Sequence, residues 1–312
     1  MAGVSRQSYY QRQQRLRQPA GDTTALLEHI KAMRAGHYAA MGCRKLYTIL
    51  QNDPEHSQLL SMGRRAFEQL LLAHNLGSPL AKPLFRANKS RKMRFANQLQ
   101  DKDINGTDQV WVSDTTYIQI EQQWYYLTQV VDYYSREVIA LHISKGLCAE
   151  QTSIPALQAA IDYRNKTDLG GCIIHSDGGT QYGDAGFLAL VERHRLISSM
   201  ARMVFENTVS ERFNGVFKQE YLALRPPANM TQLKALARYA QLNYNTKRPH
   251  AALKYATPQQ FAQQQMQLPP EQRLSCKAWT IPSIELPTQP NKVAQPTTTT
   301  VLPTLTNDQE TK

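Results

Sequence analysis

Cysteine is scarce in this chain and scattered where it occurs. Cys43, Cys148, Cys172 and Cys276 form no Cys-x-x-Cys pair and match no histidine spacing. That argues against both a zinc finger and a disulfide framework. No run approaches the roughly 20 apolar residues of a membrane span, and no N-terminal stretch joins a basic start to an apolar core. These absences predict a cytoplasmic protein that engages no membrane.

Net charge is missing from most of the sequence too. Residues 101–312 hold 20 basic and 20 acidic residues, whereas residues 1–100 hold 16 Lys and Arg against 5 Asp and Glu. The whole positive excess of +11 therefore lies in the first third. A basic module on a neutral body is the charge pattern of a nucleic-acid-binding arm attached to a catalytic unit. A merely solvated basic surface is the competing reading of charge taken alone.

Apolar spacing divides the chain further. Residues 23–35 and 43–51 carry helical periodicity, and Ser61 is placed to cap a third helix running through Leu71. Arg64 and Arg65 fall at the start of that third helix, so the first region, residues 1–81, reads as helix-turn-helix-like and DNA-binding. Residues 82–106 form a basic linker in which Lys89, Arg91 and Lys92 are suited to following phosphates. From residue 107 to 262 the pattern becomes α/β. Three β-rich runs (110–120, 124–133, 137–143) precede a helix at 149–163, a strand at 172–176, and helices at 184–194, 207–223 and 231–245. That order predicts a mixed sheet flanked by helices. Residues 263–312 turn Gln-rich and then Pro/Thr-rich, a composition that predicts a disordered tail.

Three acids stand out against this background. Asp114 lies inside the first strand, where a buried carboxylate needs a metal or a cation to compensate it. Asp177 ends an apolar strand and is followed by Gly178-Gly179, which permits a sharp turn beside a ligand. Glu211 sits on a helix with Lys218 seven residues later, and at about 100° per residue the two share a face. Asn207 reads as that helix's N-cap, with Glu206 favouring its positive end. Asp132 and Arg136 read as a structural turn pair. Each acid alone has a bland reading as a strand edge, a turn former or a solvated helix residue. Together they match a set of oxygen ligands for divalent metals, which about 4 Å apart cut and join phosphodiesters.

The segments at 111–118, 130–139, 175–182, 199–202, 207–220 and 244–250 resemble, in order, those of OrfB-type transposases of the bacterial IS-three insertion-sequence family. The resemblance covers about residues 20–262 and implies a retroviral-integrase-like, RNase H-like catalytic core. It also implies that Asp114, Asp177 and Glu211 are the catalytic DDE acids, and that Lys218 is the basic residue one heptad after the glutamate. Two Mg²⁺ ions, replaceable by Mn²⁺, come with that assignment. DNA is the implied partner, as terminal inverted repeats and as target, along with a homo-oligomer on DNA and an OrfA-type partner or frameshift fusion. The Arg248-Pro249-His250 motif also matches, with no role attached. Residues 202–206 depart from the family in being shorter and lacking glycine. The expected activity is metal-dependent cleavage and strand transfer; a catalytically inactive transposon-derived DNA-binding protein and an RNase H-like nuclease are the alternatives.

Overall fold

The computed structural model describes residues 23–78, 94–165, 169–201 and 207–278. Helices α1 (Thr24–Ala35), α2 (Cys43–Gln51) and α3 (Arg64–Ala73) come first. Leu26 and Ile30 of α1, Leu46 and Leu50 of α2, and Phe67 and Leu71 of α3 face inward at helical spacing and form their own buried cluster. Each such side chain removed from water contributes roughly 1.5–3 kcal/mol. Two details differ from the sequence reading. The third helix starts at Arg64 with Gly63, not Ser61, at its N-cap position. Residues 52–63, with a 3₁₀ turn at Ser57–Leu59, separate α2 from α3, a longer link than the 3–4-residue turn of a helix-turn-helix.

The main sheet has five strands in the order β4-β3-β2-β5-β6, where β2 is Val110–Ile120, β3 Gln123–Asp132, β4 Val138–Ser144, β5 Ile173–Ser176 and β6 Ile197–Met200. β2, β3 and β4 form an antiparallel meander, while β5 pairs parallel with both β2 and β6. This is the RNase H-like arrangement. β6 was not expected from the sequence: its Ile-Ser-Ser-Met is too short and too polar to announce a strand. It is held there by pairing with the buried β5.

Side chains alternate across β2, so the sheet has two apolar faces. Trp111 packs with α4 (Ser153–Arg164) and α5 (Ala185–Arg193) through Ala156, Leu157, Ala160, Phe187 and Leu190. Val110 and Val112 point to the other face. There they meet Phe213 of α6 (Thr208–Val216), Phe217 of a following π-helical turn (Phe217–Leu222), and Leu233 and Ala240 of α7 (Met230–Thr246). Arg164 at the end of α4 pairs with Asp108 (2.7 Å), Asp132 (3.5 Å) and Glu137 (2.6 Å). Asp132 is thus joined to Arg164 and not, as its proximity in sequence suggested, to the side chain of Arg136. Burial raises the Asp132 pKa and Arg164 opposes that rise.

Structure continues past residue 262. Helix α8 (Pro258–Met266) opens on a capping box between Thr257 and Gln260, and a short strand β7 (Cys276–Lys277) pairs antiparallel with β1 (Asp103–Ile104). The expectation of disorder from residue 263 therefore fails for 263–278. Glutamines, which read as low complexity, here serve the fold: Gln265 accepts from the Tyr134 hydroxyl and the Leu274 amide. Residues 279–312 lie outside the described part. No helix among the described residues is long and apolar enough to cross a membrane.

Candidate active site

Strand register alone brings two of the acids side by side. Ser113 on β2 is the parallel partner of Ser176, the last residue of β5, so Asp114 on β2 and Asp177 just past the end of β5 follow from neighbouring positions on strands spaced about 4.8 Å. Asp114 has the same parity as Val110 and Val112, which aims it at the α6 face. There the Asn214 side chain donates to its Oδ2 at 2.7 Å. Glu211 precedes Asn214 by three residues on α6 and so shares that face.

Electrostatics registers the crowding. The Asp114 carboxyl is pushed up to about 7, first by burial, then by Asp177 and then by Glu211. The Thr115 amide and the Asn214 side chain pull the other way. Glu211 is largely exposed, yet partial burial of its carboxyl also raises its pKa. Tyr182 lies fully buried beneath the site and bonds the Ser113 hydroxyl at 2.9 Å. Burial, then Asp177, then Asp114 raise its pKa.

Local structure explains how each acid is carried. The amide of Gly179 donates to the Asp177 carbonyl at 2.7 Å and to its Oδ1 at 3.2 Å, closing the chain back on the carboxylate. Gly179 itself has φ −63°, so the turn does not use the left-handed freedom of glycine. Helix α6 is tied to the sheet by amides. Asn207 donates to the Ser113 carbonyl at 3.1 Å, and Gln129 on β3 donates to the Ser210 carbonyl at 2.7 Å. Asn207 stands at the N-cap position but makes no side-chain cap, contrary to expectation; it fastens the helix beside Asp114 instead.

The remaining expected residues fall elsewhere. Lys218 is half-buried in the π-helical turn that continues α6. Arg64 and Arg65 are exposed on the first turn of α3, away from the acids in sequence and in packing cluster. Lys89, Arg91 and Lys92, together with residues 202–206 and Glu206, lie outside the described residues. Asn214 and Gln129 were missed by sequence reasoning, and Asn207 was read only as a cap. Only Asn214 left a signal, its spacing of three from Glu211.

The Arg-Pro-His segment finds a place. Arg248 forks onto Glu220 of the π-helical turn through two bonds of 2.7 Å. Its guanidinium also lies 5.4 Å from the Tyr244 ring, against which His250 packs edge-on.

Comparison with known proteins adds similarity of two kinds. Two integrase core domain families match, one over residues 105–203 and one over 200–258. The chain is 28% identical over 276 residues to the insertion element IS600 uncharacterized 31 kDa protein of Shigella sonnei, covering 85% of this chain and 97% of that one. It is 32% identical over 170 residues to the transposase InsF for insertion sequence IS3fB of Escherichia coli strain K12, covering 54% of this chain and 58% of InsF. The HTLV-2 integrase catalytic core domain, solved in complex with magnesium, aligns with 50% of this chain and 97% of its own at 22% identity and a TM-score of 0.40.

Proposed function

From its membership of the IS3-type transposases that carry an integrase core domain, we propose that this chain cleaves and joins DNA strands at the ends of an insertion sequence. The reaction class is polynucleotidyl transfer. The observation that carries the assignment to particular residues is the crowding of Asp114, Asp177 and Glu211, which keeps Asp114 from ionising at its ordinary pH.

Three crowded carboxylates are a donor set that fits a hard divalent ion. Asp114, Asp177 and Glu211 would hold it; two Mg²⁺ ions are proposed, with Mn²⁺ able to substitute. When bound, such ions activate a nucleophilic oxygen and stabilise the leaving one in an in-line displacement at phosphorus. The protein's own part is positional. Asn214 orients Asp114, the Gly179 amide orients Asp177, and the amide ties from Asn207 and Gln129 keep Glu211 against the sheet. Water and a DNA 3′-hydroxyl are the successive nucleophiles, which lets one site cleave and then join.

DNA is bound through phosphates outside this centre. Arg64 and Arg65 present two cations on one exposed turn, and Lys89, Arg91, Lys92 and Lys218 are the further residues proposed to contact DNA. Residues 1–81 are assigned to DNA binding, 82–106 to the linker and 107–262 to catalysis. Pairing two DNA ends calls for at least two protomers, and an OrfA-type polypeptide is the proposed partner.

The test is formation of the joined-end junction of the native element in cells, read by PCR, with the upstream frame supplied. Wild type is expected to give the junction; Asp114→Asn and Asp177→Asn are expected to lose it while still binding the DNA ends. A junction formed by either variant would overturn the site. If wild type binds the ends and forms no junction, the chain is a DNA-binding protein without turnover.

A further inference from the structure

A second cluster of ligating side chains lies on the three-helix region and plays no part in the chemistry proposed above. His29 projects from α1, while Asp53 and His56 lie in the segment after α2. A ring nitrogen of each histidine and a carboxylate oxygen of Asp53 all fall within 4.8 Å of one another. The two imidazoles stack with centroids 4.0 Å apart and planes inclined by 25°. Asp53 is already held in place: its Oδ1 accepts the amides of Glu55 (2.9 Å) and His56 (3.3 Å), and its Oδ2 lies 3.0 Å from His56 Nδ1. All three residues are half-buried, so an ion can reach them.

We infer that His29, Asp53 and His56 form a site for a borderline divalent transition-metal ion, with Zn²⁺ the fitting occupant. The donor set decides the class. Two imidazoles and one carboxylate suit Zn²⁺ or Co²⁺, whereas Mg²⁺ and Ca²⁺ take oxygens and are served by the carboxylates of the sheet. Three protein ligands leave a fourth tetrahedral position for water. Zinc–nitrogen bonds of about 2.1 Å set ligand–ligand edges of roughly 3.4 Å, so the two imidazoles must leave their stack and turn their ring nitrogens toward a common point to close around an ion. On binding, His56 Nδ1 and Asp53 Oδ2 exchange their mutual hydrogen bond for bonds to the ion, and the His56 proton rests on Nε2.

The placement gives the ion a structural consequence. Residues 52–63 are the long link between α2 and α3, and their only regular element is one 3₁₀ turn. An ion bridging this link to α1 would fasten it to the helix it crosses, stabilising the folded region by its affinity for that state alone.

The experiment is titration of the chelator-treated full chain with Zn²⁺ by calorimetry and with Co²⁺ by visible absorption, in excess Mg²⁺ so that the acidic centre is filled. Wild type is expected to bind one equivalent, to show a tetrahedral Co²⁺ band, and to melt at a higher temperature with zinc. His29→Ala and His56→Ala are expected to lose at least about ten-fold in affinity together with the zinc-dependent melting shift. Asp53→Asn preserves the acceptor for the two amides and is expected to weaken binding without unfolding, as circular dichroism would report. Failure of the folded wild type to bind, or equal binding by the folded variants, overturns the site. Because the readout is metal binding and melting, it stands apart from any result on DNA joining.

Discussion

Asp114 carries a stability cost that the Thr115 amide and the Asn214 side chain only partly relieve. An acid whose native pKa is raised from 3.8 to about 7 penalises the ionised folded state. The penalty is absent below about pH 4, grows as pH climbs toward 7, and is complete above it. In the absence of divalent metal, the protein is therefore expected to lose stability across that window. Asp114→Asn removes the charge but keeps an oxygen for Asn214 to bond. Thermal melts in chelator at pH 8 should show this variant more stable than wild type by about 1–2 kcal/mol, and the gap should close by pH 4. Equal melting temperatures at pH 8 would mean that neither burial nor the neighbouring carboxylates penalise the Asp114 charge. Excess Mg²⁺ should favour wild type, reversing the order.

At the scale of an element, the π-helical turn Phe217–Leu222 needs an anchor, because a π turn is an uncommon departure inside a helix. The buried fork from Arg248 to Glu220 supplies it, joining the turn to the end of α7. Burial lowers the His250 pKa well below its ordinary value and the nearby Arg248 lowers it further, so the ring stays neutral beside the guanidinium. Removing one member of such a pair strands the other charge, which costs about 3–5 kcal/mol. Arg248→Ala should lower unfolding free energy by that amount in urea titrations. Arg248→Lys should recover little of it, because an ammonium cannot reproduce the planar two-bond fork. Full recovery by lysine would show that charge alone, and not the fork, holds the turn.

Across the whole molecule, segments far apart in sequence close the fold. β7 pairs with β1, the Tyr134 hydroxyl donates to the Leu274 carbonyl at 2.8 Å, and Ala278 is buried. The helical region meets the sheet-containing half through His37 Nδ1 and the Tyr239 hydroxyl at 2.7 Å, and through Arg225 donating to the Gly36 carbonyl at 3.2 Å. A chain ending at Ala262 should consequently melt well below a chain ending at Ala278. The difference, on the order of 2–4 kcal/mol, reflects lost apolar burial in α8 and several lost hydrogen bonds. Indistinguishable melting would mean that residues 263–278 add nothing to the core.

How much of this was legible beforehand follows from the range of the forces involved. β2, β3, β4 and β5 announce themselves by β-branched and aromatic runs, and α1, α2 and α4 through α7 by apolar spacing, because periodicity is a local property of the chain. The acids at 114 and 177 were visible for a related reason: a carboxylate in or beside an apolar strand is anomalous wherever the strand goes, whereas Glu211, an ordinary helix acid taken alone, stood out by the resemblance. Tertiary structure alone decided that β5 lies parallel to β2 in the register that sets Asp177 beside Asp114. It decided too that Asn207 ties a helix down instead of capping it, that Asp132 pairs with Arg164, and that Ile197–Met200 is a strand at all. Each of these depends on a partner far along the chain. Amides and short polar runs carry no periodic signal of what they will meet, so their roles exist only once the fold has chosen their neighbours.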